Sequence, residues 1–160
     1  MNVSDKTKLE YLENLILGTE LLNCILGDKI GSGMTRDVFQ HPHFDDQVVK
    51  VEYQNNGDNW AEWRVWKMVE HTDHKKWFAE CSWISSNGLV LIQKKTEDFY
   101  ERLSKAPKHV PKYFTDIKPD NMGWIKNQLT FHDYSFCLDM FASKGGLTKG
   151  MQKLKLNKWI

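Results

Sequence analysis

The sequence lacks both a long apolar run and an excess of charge of either sign. No stretch approaches the ~20 apolar residues that a membrane-spanning helix needs. The 22 Lys and Arg residues nearly balance the 21 Asp and Glu residues, so net charge gives no indication of a nucleic-acid or membrane partner. The N-terminal stretch MNVSDKTKLEYLENLILG places charges before and among its apolar residues, a pattern that argues against a signal peptide.

Cysteine is also scarce. Cys24, Cys81 and Cys137 lie far apart, and no C-x-x-C pair occurs. An odd number of widely spaced cysteines predicts free thiols and argues against a disulfide framework or a zinc site. We therefore expect a soluble protein of a reducing cytoplasm.

The length and the hydrophobic patterns predict a mixed fold. The 160 residues, 41% of them hydrophobic, predict one domain or two small lobes that share a core. Strands concentrate in the first half, which favours an α+β class. The predicted elements are a helix over residues 5–17, strands over 24–30, 36–40 and 47–53, a helix over 59–71 capped by Asn59, two or three strands over 77–93, a short helix over 97–105, and a hairpin around Lys126-Asn127.

Histidines, tryptophans and the lysine-rich tail are interpreted as structural features. His41 with His43, and His71 with His74, are spaced as metal ligands can be. A zinc site needs three or four ligands, so we expect these side chains in turns and on a helix surface. The tryptophans are expected in the core, because a short chain needs large side chains to bury area. The tail over residues 143–160 is expected to be solvated or to form an end-capping helix with apolar residues packed inward.

Several sequence features that lie far apart along the chain carry side chains suited to a single reaction. A G-S-G turn lies at residues 31–33, Lys50 lies in an apolar strand, Glu62 lies on the following helix, and TDIKPDN (115–121) precedes a hairpin that ends at Asp133. Each feature alone is common in turns, strands and solvated loops. Together they supply what phosphoryl transfer from a nucleotide needs: backbone N–H groups and a lysine for the phosphates, an aspartate for the attacking hydroxyl, and oxygen ligands for magnesium.

The order of these motifs resembles the protein-kinase superfamily over about residues 28–135. IGSGMTRDVF is similar to the glycine-rich loop, VVKV to the strand with the phosphate-binding lysine, GLVLIQKK to the strand before the hinge, and TDIKPDN to the catalytic loop, while HDYS stands where D-F-G belongs. The resemblance assigns the roles of base to Asp116 and of phosphate stabiliser to Lys118, magnesium binding to Asn121 and Asp133, and nucleotide binding to Gly31, Ser32, Gly33, Val38, Val48, Lys50, Glu62, Ile92, Gln93 and Lys94.

A narrower resemblance concerns two segments. VFQHPHFDDQVVKV and DYSF are similar to stretches of the kinase-like early proteins of short-tailed lytic bacteriophages. Those proteins resemble truncated Ser/Thr kinases that act on host proteins. This resemblance implies a protein of the host cytoplasm.

Three departures from the superfamily pattern stand out. Arg36 replaces the third glycine of the loop, so we expect the loop to bend less freely. The H-R-D triplet is Phe114-Thr115-Asp116, which lacks the arginine that usually pairs with a phosphorylated activation loop. Few residues follow Asp133 and no A-P-E occurs, so we do not expect the helical platform on which the superfamily binds peptides.

The resemblance implies a reduced two-lobe kinase-like fold in one domain. The expected parts are an N-terminal helix over residues 1–22, an N-lobe of antiparallel sheet plus helix over 23–95, and a stunted C-lobe over 96–160. The implied function is an ATP-dependent phosphotransferase, similar to Ser/Thr protein kinases, with ATP and Mg²⁺ as cofactors. The alternatives are a weak or inactive module that binds nucleotide or protein, and a small-molecule phosphotransferase. A second copy of the chain is a possible partner that would complete the sparse C-lobe.

Overall fold

The computed structural model describes residue 20 and residues 22–54, 56–137 and 150–155. Strands dominate this part of the chain, and the predicted α+β class is confirmed. The predicted helix over residues 5–17 lies outside the described residues. The strands are β1 (Lys29–Ser32), β2 (Arg36–Gln40), β3 (Gln47–Glu52), β4 (Cys81–Ile84), β5 (Val90–Lys94), β6 (Glu97–Asp98), β7 (His109–Pro111), β8 (Met122–Ile125), β9 (Gln128–Phe131) and β10 (Met151–Lys153).

The first five strands form an antiparallel sheet in the order β1-β2-β3-β5-β4. The central strand β3 is rich in valine, a β-branched residue that favours strands. Lys50 lies in this strand opposite Val38 of β2 and Leu91 of β5. Because directly opposed residues of an antiparallel pair share a face, Lys50 and Val38 point to the same side of the sheet.

The helix α1 (Asp58–Val69) follows β3 after a short turn. Gly57 has φ 82°, in the left-handed region that favours glycine. The Glu52 side chain accepts hydrogen bonds from the backbone N–H groups of Gly57 and Asn59, which satisfies donors at the start of the helix. The prediction that Asn59 caps the helix is therefore wrong. Asn59 is buried inside the first turn. Among the described residues, no helix combines the length and the apolar character needed to cross a membrane.

The second half of the chain builds two smaller sheets. Strands β6, β8 and β9 form one, and β7 pairs with β10 in the other. The predicted hairpin around Lys126-Asn127 is confirmed as β8–β9, with Lys126 at φ 58° in its turn. In the tail, residues 151–153 form a strand, where a solvated segment or a helix was expected, and Leu154 packs inward as one expectation required.

Two further element predictions need correction. Residues 22–25 are helical, so the predicted strand over residues 24–30 is wrong for its first half, and β1 begins only at Lys29. The segment predicted as a helix over residues 97–105 is the short strand β6 followed by a 3-10 helix, Phe99–Lys105. Other 3-10 helices lie at Asp73–Trp77 and Pro119–Asn121.

One hydrophobic core joins α1, β9 and the loops between them. Phe114 and Phe131 stack with ring centroids 3.6 Å apart, and Trp124 is almost fully buried. Each large side chain buried in this way contributes roughly 1.5–3 kcal/mol to stability. This core includes Phe114, directly before the turn at residues 115–121, and Ile117 of that turn packs against it. The arrangement is consistent with the predicted reduced kinase-like fold.

Candidate functional site

The buried centre of the site is an ion pair between β3 and α1. The Lys50 Nζ lies 2.7 Å from Glu62 Oε2, and both side chains are almost fully buried. Lys50 Nζ also donates a hydrogen bond to the backbone carbonyl of His132. The ammonium group is therefore held between the first sheet and the end of the β8–β9 hairpin.

The turn at residues 115–121 brings three of the predicted site residues together. The Lys118 Nζ lies 3.0 Å from Asp116 Oδ2. Asn121 Nδ2 donates to the same oxygen at 2.8 Å and to the backbone carbonyl of Asp116 at 2.9 Å. The hydrogen bond to Asp116 raises the pKa of Lys118, so its ammonium group stays charged.

Backbone hydrogen bonds place Asp133 beside this turn. The N–H groups of His132 and Asp133 both donate to the carbonyl of Asn121, at 2.9 and 3.2 Å. These bonds fix the chain just after β9. The backbone of Asp133 therefore lies next to that of Asn121.

A cleft of about 740 Å³ connects these groups with the β1–β2 turn. The turn is closed by a hydrogen bond from the N–H of Gly33 to the carbonyl of Arg36, at 2.8 Å. The predicted site residues that line the cleft are Gly31, Ser32, Gly33, Val38, Val48, Lys50, Gln93, Lys94, Asp116, Lys118, Asn121 and Asp133.

Two predicted residues do not line the cleft. Glu62 is fully buried behind Lys50. Ile92 pairs with Val49, whereas its neighbour Gln93 pairs with Val48, which lines the cleft. Successive side chains of a strand point to opposite faces, so the side chain of Ile92 points away from the face that lines the cleft. Its assignment to nucleotide binding stays a prediction.

Arg36 is the site residue that sequence reasoning missed. It was expected only to stiffen the loop, but its side chain is buried and lines the cleft. Its Nη2 donates to Glu62 Oε1 at 2.9 Å and to Asp133 Oδ1 at 3.0 Å. The period of two along β2 places Arg36 on the same face as Val38, and that spacing was the available signal.

The opposite charges around Arg36 and Asp133 keep these two side chains ionised. Burial lowers the pKa of Arg36, but the carboxylates of Glu62 and Asp133 outweigh that effect and raise it above its usual range. Burial raises the pKa of Asp133, but Lys50 and Arg36 outweigh that effect, so the pKa lies below its usual range. Asp133 is therefore ionised at neutral pH.

His132 is held neutral between two hydrogen bonds. Its Nε2 lies 2.8 Å from the carbonyl of Asp120, which can only accept, so Nε2 carries the proton and Nδ1 accepts from Thr96 Oγ1 at 2.7 Å. Burial, and then the nearby Lys50, lower its pKa to about 4. His132 thus braces the turn that carries Asn121.

The low pKa of His132 predicts a pH-dependent loss of stability. As the pH is lowered, the unfolded chain takes up this proton at about pH 6.5, whereas the folded chain takes it up only near pH 4. The free energy of unfolding therefore falls as the pH is lowered between these two values, by at most about 1.4 kcal/mol per pH unit. We expect His132→Gln to flatten this part of the profile, as measured by urea unfolding at several pH values. His71→Gln is the control, since His71 is exposed. Equal slopes for wild type and His132→Gln would contradict the expectation.

The predicted magnesium ligands do not have the surroundings that the resemblance implies. Asp133 Oδ1 accepts a hydrogen bond from Arg36. Asn121 donates its amide nitrogen to Asp116, but a metal would bind its amide oxygen, so that contact does not count against the site. A guanidinium at hydrogen-bond distance puts a positive charge where a second cation would have to bind. Among the described residues, no group of three or more His, Cys, Asp or Glu side chains is placed to hold a metal ion. The contact with Arg36 therefore does not fit a magnesium ion at Asp133, while the assignment of Asn121 stays a prediction.

No protein-family model matches the chain, and no curated protein matches it. Solved structures do match. One is the ternary complex of streptomycin, ATP and APH(2")-IIa, at 20% sequence identity and a TM-score of 0.40 over 57% of this chain. The match spans 32% of that protein, about a third of its length. A likeness at this level says nothing about the activity or the substrate of this chain.

Proposed function

We propose that this chain is an ATP-dependent phosphotransferase of the kinase-like type, with a Ser or Thr hydroxyl group of a protein as the acceptor. The observation that carries the proposal is the composition of a single cleft. Its lining joins the turn at residues 31–33, the ammonium group of Lys50, and the carboxylate of Asp116. These are the groups that nucleotide phosphates and an attacking hydroxyl require.

In the proposed reaction, the acceptor oxygen attacks the γ-phosphorus and forms the new P–O bond. The bond from the γ-phosphorus to the β–γ bridging oxygen breaks, and ADP leaves. The hydroxyl proton passes to the carboxylate of Asp116. Lys50 and Lys118, which line the same cleft, stabilise the negative charge on the phosphate oxygens. Mg²⁺ on Asn121 and Asp133 belongs to the expected cofactors, but no step is assigned to it, because Arg36 holds Asp133.

A second candidate is a module that binds nucleotide without transferring phosphate. The contact between Arg36 and Asp133 favours this second candidate, because Arg36 binds the carboxylate to which the resemblance gives the role of magnesium ligand. Transfer depends on preorganised charge around the phosphates. A cleft that binds ATP but lacks that preorganisation would act as a binding module.

Incubation with γ-labelled ATP and a cell lysate tests the proposal. We expect label to appear on Ser or Thr residues of acceptor proteins, identified by phosphoamino-acid analysis. Binding of ATP without transfer would favour the second candidate. A protein that neither binds ATP nor transfers phosphate would contradict both candidates.

A further inference from the structure

Arg36 occupies the place at Asp133 where a metal ion would be expected. Its side chain is 8% exposed and lies between α1 and the residues after β9. Nη2 bridges Glu62 Oε1 and Asp133 Oδ1, and Nη1 donates to Asn59 Oδ1 at 3.3 Å. The guanidinium is therefore fixed by three different side chains and still borders the cleft.

The charges of this cluster balance without a metal. Two cations, Arg36 and Lys50, face two carboxylates, Glu62 and Asp133. A divalent ion at Asp133 would lie within a few ångströms of the guanidinium, and like charges in a poorly solvated site repel strongly. Without Arg36, one cation would face two carboxylates, and the site would attract a divalent cation.

We propose that Arg36 acts as a side-chain cation in place of a divalent metal at Asp133, so that the cleft binds a nucleoside triphosphate without requiring Mg²⁺. The nucleotide part rests on the proposed function. The metal part concerns Asp133 alone and stands without a nucleotide. Arg36 would bring to the phosphates a fixed positive charge, beside the charge of Lys50.

The first experiment uses Mn²⁺ alone as the probe, with binding followed by electron paramagnetic resonance. We expect wild type and Arg36→Lys to bind Mn²⁺ weakly, and Arg36→Gln to bind one ion at least about tenfold more tightly. Adding Asp133→Asn to Arg36→Gln should remove that binding. The proposal would be overturned if the wild type bound Mn²⁺ tightly and Asp133→Asn abolished that binding. It would also be overturned if Arg36→Gln folded but bound Mn²⁺ no more tightly than the wild type.

A circular-dichroism melt would show whether Arg36→Gln folds. If it does not, Mn²⁺ binding by the wild type still tests the proposal. Tight Mn²⁺ binding at Asp133 in wild type contradicts the proposal, and its absence supports it. Arg36→Lys keeps the charge but loses the planar fork. A purely structural role of Arg36 would not make Mn²⁺ affinity follow the charge at this position.

The second experiment measures ATP affinity of the wild type by calorimetry, in EDTA and in excess Mg²⁺. We expect the two dissociation constants to agree within about threefold, and Arg36→Gln to acquire a preference for Mg²⁺ of at least about tenfold. A wild type that loses tenfold or more of its affinity in EDTA would overturn the proposal. Absence of ATP binding in both solutions would instead contradict the proposed function, and the Mn²⁺ result would still decide the role of Arg36.

Discussion

Replacing Glu62 by Gln is expected to lower the free energy of unfolding by about 3–5 kcal/mol, the usual cost of removing one partner from a buried ion pair. Glu62 has no exposed surface and accepts from both Lys50 and Arg36. Its oxygens also accept from the Gln93 amide and from the backbone N–H of Tyr134, each at 3.3 Å. Glutamine keeps the shape of the side chain but leaves two buried cations with a single carboxylate, that of Asp133.

Equilibrium unfolding in urea, followed by tryptophan fluorescence, measures this loss. Glu70→Gln is the matched control, because Glu70 pairs with the half-exposed Lys67 near the end of the same helix. That control should change the free energy of unfolding by less than about 1 kcal/mol. A loss for Glu62→Gln no larger than that of Glu70→Gln would show that the buried cluster does not stabilise the fold.

Asp116→Asn is expected to reduce phosphoryl transfer by about 10²–10⁴-fold, the usual contribution of a general base. Asparagine keeps the size of the side chain but cannot accept the hydroxyl proton. Asp116 is about half exposed, and its oxygen accepts from Lys118 and Asn121. We therefore expect ATP affinity and stability to change little, so that the loss appears in the rate of transfer.

Label transfer from ATP, measured beside an ATP titration, separates these effects. Asp73→Asn makes the same change of charge at an exposed position in the 3-10 helix Asp73–Trp77, outside the cleft, and should transfer at the wild-type rate. Transfer by Asp116→Asn at the rate of Asp73→Asn would exclude Asp116 as the base. The hydroxyl proton would then have to pass to an acceptor other than Asp116.

The strands with strong local patterns were predictable from the sequence. β2, β3 and the β8–β9 hairpin follow from valine-rich or alternating segments bounded by turn residues. The helix α1 was also predicted, to within one residue at its start, but its cap was not, because the capping side chain is that of Glu52, outside the helix. Residues 24–30 were predicted as a strand, since a short apolar run does not distinguish helix from strand.

The site was predictable in its residue types but not in its contacts. Lys50 and Glu62 were paired by resemblance, and the structure places them 2.7 Å apart. Their roles in catalysis and nucleotide binding stay predictions. Arg36 was treated as a change in loop flexibility, although its period-two spacing from Val38 put it on the cleft face. Its contact with Asp133 joins residues far apart in sequence, and no local pattern shows such a contact.

Calorimetric titration of ATP into the wild type and Lys50→Ala tests most directly whether the cleft is a phosphate-binding site. Lys50→Ala should still fold, because Arg36 continues to neutralise Glu62. Lys67→Ala, on the exposed side of α1, controls for the loss of a lysine. The wild type and Lys67→Ala are expected to bind one ATP, and Lys50→Ala at least about tenfold more weakly. No ATP binding by the wild type, or equal affinities for Lys50→Ala and Lys67→Ala, would contradict a cleft built around Lys50.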